Sequence, residues 1–465
     1  MTTTQLLIKA KKAVLSAKHE TAPIQVLVDV TTGKIINIGE SIEASETAQV
    51  IELNDDQVLM PGLVDAHVHL NEPGRTEWEG FETGTKAAAA GGITTVIDMP
   101  LNAIPPTTTP ENLDIKLDAA KGQLHVDVGF WGGVIPDNSQ HLKTLMKKGV
   151  RGFKCFLIES GVDEFPCVNE EQVRLAMDQM VGSDKVLLFH AEMDGGCCSG
   201  ASNKKEEKEL DPNTYQSFLE SRPQSLETHA IDMIIRLTRE YKEKGTPVRT
   251  HIVHLSASDA IPAIQQAKKE GLPLTVETCF HYLNFVSENI QDGATQFKCC
   301  PPIRESENRE LLWKALLDGT IDYVVSDHSP CTAQLKKGHF GEAWGGIASV
   351  QFGLNILWSE GRQRGLTYQN LVHWLSQVPA ERTQLNDRKG EIRIGHDADF
   401  VIWRPESTWK VDINDIHFKN KVSAYIGTTF YGCVDQTIVR GQTVYDAKRK
   451  YPFELSPLGQ TLLYN

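Results

Sequence analysis

The strongest constraint on the fold is an alternation of short apolar runs with helix-length segments between residues 60 and 390. Such an alternation is typical of βα units, whose strands pair in parallel. Eight runs occur, which is the number of strands that a (β/α)₈ barrel of the TIM type requires. They span residues 63–65, 94–97, 126–130, 152–156, 186–189, 249–253, 274–277 and 322–325, and the clearest helical segments span 81–90 and 227–243. We therefore expect an α/β protein with a barrel over residues 61–390.

Both ends of the chain have a different sequence pattern, in which short β-like runs are separated by turn residues. These runs span 5–8, 13–15, 24–28 and 35–39 near the N-terminus, and 398–403, 436–439 and 441–445 near the C-terminus. Short strands at regular spacing predict the hairpins of a small β unit. We expect residues 1–60 and 391–465 to form one discontinuous β-sandwich beside the barrel, with the C-terminal tail in its second part.

Charge and cysteine content narrow the classes of function. The formal charge of −14 argues against nucleic acid or an anionic membrane as the main partner, because both select a basic surface. No apolar run reaches the ~20 residues of a membrane span. Nine cysteines without a C-x-x-C pair indicate reduced thiols in the cytoplasm. Lysines near the N-terminus leave import into an organelle, such as a mitochondrion or a peroxisome, open.

Polar side chains follow the apolar runs where the strands are expected to end. His67 and His69 come directly after the first run, and in an extended chain this spacing points both rings to one side. Such a pair alone is more often structural than functional. His190, His254 and Asp327 also follow predicted strands, and the carboxyl ends of barrel strands converge on one face. Four imidazoles and a carboxylate there are suitable ligands for zinc or a neighbouring transition metal.

Lys154 is unusual because it lies inside the apolar run 152–156. One interpretation is that its ammonium extends past the strand end to solvent, as long basic side chains often do. The other is that burial and nearby metal ions keep the amine neutral. A neutral amine can take up carbon dioxide to form a carbamate, and this group can bridge two metal ions about 3.5–4 Å apart.

These features together resemble the cyclic amidohydrolases of the amidohydrolase superfamily. The residues that carry the resemblance are the segment Pro61-Gly62-Leu63-Val64-Asp65-Ala66-His67-Val68-His69 with Lys154, His190, His254 and Asp327. Residues 390–399 resemble that family's return from the barrel to the β unit, so the likeness spans nearly the whole chain.

The resemblance implies a hydrolase with two divalent metal ions, with zinc as the default and cobalt, manganese or iron as alternatives. It assigns His67, His69 and Asp327 to one ion, His190 and His254 to the other, and an N6-carboxylated Lys154 to the bridge between them. It also makes Asp327 the catalytic residue that moves a proton to the leaving nitrogen. Members of the family often form homotetramers, so the resemblance implies a homo-oligomer as well.

Within the family, several segments resemble those of members that act on an uncharged hydantoin ring with a ureido arm, and the resemblance implies a small-molecule substrate of this kind. These segments span 70–81, 98–102, 211–215, 221–223 and 300–304. Dihydroorotases carry an arginine after H-x-H-x that holds a substrate carboxylate, whereas this chain has Asn71, whose amide both donates and accepts. We expect Asn71, Asn102 and Ser329 to bind the substrate. Each can instead be a turn or cap residue, and for Asn102, beside Pro100, this alternative is equally favoured.

Two other functions stay open. A hydantoinase or dihydropyrimidinase shares every metal ligand, so only the substrate loops separate it from the first interpretation. A non-catalytic assembly protein of the same fold would lack the ligand set, and here all six positions are filled. We interpret the remaining central histidines as structural, namely His125, His229, His251, His281, His339 and His373.

Overall fold

The structure is a computed structural model, and it describes residues 4–194, 211–454 and 456–463. The N-terminal region contains five strands: β1 Gln5–Ala13, β2 Ala22–Asp29, β3 Lys34–Gly39, β4 Gln49–Glu52 and β5 Val58–Pro61. The run predicted over 5–8 lies in β1, whereas the run predicted over 13–15 contributes only Ala13, the last residue of that strand. The strand continues through Lys11 and Lys12, which are exposed, because a bulge between Ala10 and Ala13 keeps both alanines buried.

The middle of the chain contains the predicted parallel strands. They are β6 Leu63–Val68, β7 Ile93–Asp98, β8 Asp127–Phe130, β9 Gly132–Gly133, β10 Gly152–Phe156, β11 Val186–His190, β12 Arg249–Ile252, β13 Leu274–Cys279 and β14 Tyr323–Val325. Each of the eight predicted runs contains a strand, and among the described residues of this region the two-residue β9 is the one strand that the sequence did not predict. Most of these residues are buried, as strands covered on both faces must be.

Helices fill the connections between these strands and follow them to residue 382. They are α1 Phe81–Ala90, α2 Pro110–Ala120, α3 Leu142–Lys148, α4 Glu170–Met180, α5 Tyr215–Ser221, α6 Gln224–Glu243, α7 Ile261–Lys269, α8 Phe280–Asn284, α9 Ser306–Leu317, α10 Gly353–Arg362, α11 Tyr368–Val372 and α12 Val378–Arg382. Both predicted helices, α1 and α6, are present. The α6 helix is amphipathic, since Ile231, Ile234 and Leu237 are buried at helical spacing while Arg236 is exposed.

Backbone hydrogen bonds order the parallel strands along the chain. One sheet has the order β6-β7-β8 and the other runs from β9 and β10 through β11, β12 and β13 to β14. The Arg151 N–H donates to the Phe130 carbonyl across 2.9 Å, which links β8 to the start of β10. A second set of contacts links the other edges of the two sheets. The His69 N–H donates to the His328 carbonyl across 2.8 Å, and Val68 forms a parallel bridge with His328. The carboxyl ends of β6 and β14 therefore lie side by side.

The C-terminal strands complete a second sheet with the N-terminal ones. They are β15 Phe400–Lys410, β16 Thr429–Val439 and β17 Gln442–Asp446, and the sheet has the order β17-β16-β15-β5-β1-β2-β3 with β4 beside β1. The antiparallel pair of β5 and β15 joins the two ends of the chain. The terminal strands also have a hydrophobic cluster of their own, which includes Ile8, Val28 and Phe400. The sandwich arrangement and the boundaries at residues 60 and 390 stay predictions.

None of the described helices is both long enough and apolar enough to cross a membrane. The seven cysteines in the described ranges are free thiols.

A buried group of charges connects the parallel strands to the terminal sheet. The Lys389 ammonium lies 2.7 Å from Asp127, 3.0 Å from Asp397 and 2.6 Å from Asp399, and all four side chains are buried. Arg440 contacts Asp127 as well. Burial by itself lowers the pKa of Lys389, but the three carboxylates outweigh burial and raise that pKa. Because Asp127 begins β8 and Asp399 precedes β15, this cation holds two parts of the fold together.

We expect Lys389→Met to destabilise the protein by about 3–5 kcal/mol, because it leaves buried carboxylates without a counter-charge. The free energy of unfolding in urea measures the effect. Lys121→Met is the matched control, since Lys121 pairs with Asp118 on the exposed surface and its loss should not change stability measurably. Equal stability of the two variants would contradict a structural role for the buried group.

Candidate metal centre

The first half of the site joins the ends of β6 and β14. His67 lies in β6 and His69 follows it, and their ring centroids are 5.6 Å apart. The Asp327 Oδ1 atom, two residues past β14, lies 3.1 Å from His67 Nε2 and 3.5 Å from His69 Nε2. The ligand atoms of these three buried side chains lie close enough together to hold one metal ion.

The second half of the site comes from β11 and β12. His190 ends β11 and His254 lies two residues past β12, and His190 Nδ1 is 3.0 Å from His254 Nε2. The ring of His254 also lies 5.5 Å from that of His67, so the four imidazoles form one continuous group. Two imidazole nitrogens that face each other at this distance are placed to share a cation.

Lys154 projects from β10 and is 1% exposed. Its ammonium lies 5.2 Å from the centroid of the Phe156 ring, and no carboxylate in the described ranges forms an ion pair with it. Burial lowers the pKa of Lys154 to about 8, although the charges of Asp327 and Glu277 oppose the shift. Lys154 therefore lies inside the site and does not extend past the strand end to solvent. This position agrees with the interpretation of Lys154 as a buried amine.

The six residues line one cavity of about 260 Å³. Asn102 and Ser329 line the same cavity, and the Asn102 amide nitrogen lies 3.3 Å from His69 Nδ1. Asn71 is not among the described residues of the cavity wall. Its amide instead donates to the Pro330 carbonyl across 3.3 Å, and its buried Oδ1 atom accepts no hydrogen bond from the described part of the chain.

The backbone at the site has an unusual conformation. Residues other than glycine rarely adopt positive φ, because the side chain then approaches the backbone. His254 has φ of 40° and Asp327 has φ of 43°, and the loop residues Asn71 and Asn102 have φ of 61° and 67°. Strained residues of this kind persist where the surrounding structure fixes them, and they concentrate at functional sites.

Further buried residues hold the candidate ligands in position. His67 Nδ1 lies 2.5 Å from Glu277, whose other oxygen is 3.1 Å from His251 Nε2. His190 Nε2 lies 2.7 Å from Glu192, which also accepts two hydrogen bonds from Arg222. These contacts fix the orientation of each ring, as partners of metal-bound histidines usually do. The sequence analysis did not single out Glu277, although a charge inside a predicted strand is the signal that identified Lys154.

The chemistry of the donor set fits divalent metal ions. Burial lowers the pKa values of His69, His190 and His254, which keeps those rings neutral with lone pairs free for a metal. Burial opposes ionisation of Asp327, but His67 and His69 hold the pKa of that carboxyl well below its usual range. Burial also lowers the pKa of His67, yet Asp327 and Glu277 outweigh it and raise the value to about 9, so this ring lies where a cation is favoured.

The model of the amidohydrolase family matches residues 58–444, and the chain belongs to that family. This confirms the family that the sequence motifs predict. Allantoinase from Saccharomyces cerevisiae is 47% identical over 451 residues, which cover 95% of each chain. Allantoinase from Streptomyces avermitilis is 47% identical over 418 residues, covering 90% of this chain and 91% of its own. The solved structure of L-hydantoinase (dihydropyrimidinase) from Arthrobacter aurescens has a TM-score of 0.87 at 25% identity and covers 99% of each chain.

We expect Glu277→Gln to weaken metal binding by about 10- to 100-fold, because an amide orients and polarises His67 less well than a carboxylate. Competition with a chelator, followed by measurement of protein-bound metal, gives the affinity. Glu307→Gln, an exposed change in α9, is the matched control. If Glu277→Gln keeps the affinity of the parent protein, the contact between Glu277 and His67 does not support the centre.

Proposed function

We propose that this protein hydrolyses allantoin, an uncharged hydantoin ring with a ureido arm, to allantoate, a step in purine and ureide breakdown. The observation that carries the proposal is the convergence of all six candidate metal ligands on one cavity in a member of the amidohydrolase family. The allantoinases that are 47% identical over most of the chain support the choice of substrate.

The same geometry supports a centre with two divalent ions, for which zinc is the default and cobalt, manganese or iron are alternatives. His67, His69 and Asp327 would hold one ion, His190 and His254 the other, and carboxylated Lys154 would lie between them. When bound, such ions polarise a carbonyl group and lower the pKa of a water molecule.

Carboxylation of Lys154 is consistent with its surroundings. With a pKa of about 8 the amine is partly neutral near pH 7, and only a neutral amine can attack carbon dioxide. A bond forms between Nζ and the carbon atom, one proton leaves the nitrogen, and the product is an anionic carbamate. The acidic neighbours that now stabilise an ammonium would then be balanced by the metal ions.

We propose that Asp327 transfers a proton from the attacking water to the leaving nitrogen. Its carboxylate accepts a proton from the attacking water and delivers it to the ring nitrogen as the bond between that nitrogen and the carbonyl carbon breaks. The carbonyl carbon becomes a carboxylic acid that ionises at neutral pH, and the ring nitrogen becomes the terminal nitrogen of a second ureido group. The low pKa of Asp327 ensures that it begins as a carboxylate.

The substrate contacts that we propose differ among the three predicted residues. Asn102 and Ser329 line the cavity, and the buried Asn102 Oδ1 has no hydrogen-bond partner among the described residues, which leaves an acceptor for a substrate N–H. Asn71 contacts the Pro330 carbonyl in the loop after Asp327. We propose that Asn71 affects the substrate indirectly, by holding that loop.

Two aspects of the architecture are part of the proposal. The backbone contacts between β8 and β10, and between β6 and the segment after β14, support a closed (β/α)₈ barrel. The homotetramer, which the family resemblance alone implies, stays a prediction, and so does the cytoplasmic location.

A hydantoinase or dihydropyrimidinase is the second candidate, favoured by the TM-score of 0.87 to the Arthrobacter aurescens enzyme. We expect the purified protein, supplied with divalent metal and bicarbonate, to open allantoin much faster than hydantoin or dihydrouracil. Appearance of allantoate measures the reaction. Preference for hydantoin or dihydrouracil would replace the proposed substrate, and a folded protein that binds no metal would favour the non-catalytic alternative.

We expect Lys154→Ala to lose metal and activity together, because the residue that bridges the two halves of the site is gone. Metal content by plasma mass spectrometry and the rate of allantoate formation are the two readouts. Lys147→Ala, an exposed change in α3, is the control. A fully metallated and active Lys154→Ala protein would disprove the bridging role.

A further inference from the structure

The cavity contains a second lysine that the reaction does not use. Lys298 lines the same cavity as the six candidate ligands and is 8% exposed. Arg222, its basic neighbour, is neutralised by two hydrogen bonds to Glu192. Lys298 has no such partner, since no carboxylate in residues 4–194, 211–454 and 456–463 forms an ion pair with it.

The backbone of Lys298 is fixed on both sides. Its N–H donates to the Thr295 carbonyl across 3.0 Å, and its own carbonyl accepts from the Gly346 N–H across 2.8 Å and from the Lys336 ammonium across 3.3 Å. The side chain passes over the Phe218 ring, with Nζ 5.4 Å from the centroid. The aromatic face stabilises the cation only in part, and no residue in the described ranges accepts a hydrogen bond from this ammonium.

Because Lys298 lines the cavity, a bound ligand can supply an acceptor, and the position of Lys298 indicates which part of the ligand would do so. The ammonium of Lys298 lies against the Phe218 ring of α5, whereas the six candidate ligands lie on or just after β6, β10, β11, β12 and β14. The carbonyl that is attacked has to lie against those six residues. Lys298 therefore faces a part of the substrate that extends away from the reacting bond.

We propose that Lys298 donates a hydrogen bond to the carbonyl oxygen of the ureido arm of the substrate and so determines specificity for a hydantoin that bears this arm. The inference rests on the proposed function. The arm is uncharged, and its carbonyl oxygen is a strong acceptor that is not attached to a ring atom. A hydrogen bond from a charged donor to this oxygen would satisfy the ammonium without a carboxylate on the ligand.

Lys298→Met tests this role, because methionine has a similar length and no charge. We expect the KM for allantoin to rise about 10- to 100-fold, the effect of losing a hydrogen bond to a charged group. Hydantoin has the same ring without the arm, so its inhibition constant as a competitive inhibitor should change less than about threefold in the same assay. Lys298→Arg, which keeps a charged donor, should recover part of the affinity for allantoin.

Lys337→Met is the matched control, since Lys337 is exposed and lies in the loop that contacts Lys298. Lys298→Gln is measured beside Lys298→Met, so the comparison does not depend on the folding of one variant, and metal content is recorded for each. An equal loss of affinity for allantoin and hydantoin overturns the proposal, because Lys298 would then act on the ring. An unchanged KM for allantoin overturns it as well.

The parent enzyme tests the proposed function separately. If it does not open allantoin, the proposed function fails whatever the variants do. If it opens allantoin and the variants lose both ligands equally, or neither, only the role of Lys298 fails.

Discussion

The contact between the His67 imidazole and the Asp327 carboxylate joins β6, the first of the described parallel strands, to the segment that follows β14, the last of them. Beside it, the Ser326 N–H donates to Asp65 across 3.2 Å, so the two strands are fixed together at their carboxyl ends. The strands between them follow in chain order, and this order positions Lys154 on β10, His190 on β11 and His254 just past β12. The candidate metal centre is thus a consequence of strand pairing and not of one local motif.

The electrostatics of the centre change with the chemical state of Lys154. After burial, the ammonium of Lys154 is the largest influence that lowers the pKa of His254, and it also acts against His69 and His190. Conversion of this ammonium to a carbamate would replace a positive charge with a negative one among those rings. The modification would therefore turn the least favourable neighbour of a bound cation into a ligand, and metal binding and carboxylation should support each other.

The parallel strands were predictable because a strand buried on both faces is apolar along its length and ends at polar residues. Lys154 was predictable for the same reason, since a charge in such a run is conspicuous. The residues that orient the ligands could not be predicted in this way. Glu277 contacts His67, and Arg222 contacts Glu192, only after distant segments of the chain have folded together. Asn71 shows another limit, because its positive φ is part of a turn that directs the amide to Pro330 and not into the cavity.

The sheet formed by both termini has a consequence for synthesis of the protein. β5 leaves the ribosome early, whereas its partner β15 follows the whole region that contains the candidate ligands. Until β15 arrives, β5 presents an unpaired edge whose side chains, such as Leu59 and Met60, are fully buried in the finished fold. A nascent chain or a C-terminally truncated product therefore has an unpaired strand edge that can aggregate with other chains. Such a product would be a substrate for chaperones and proteases and not a partly active enzyme, even though it contains every candidate ligand.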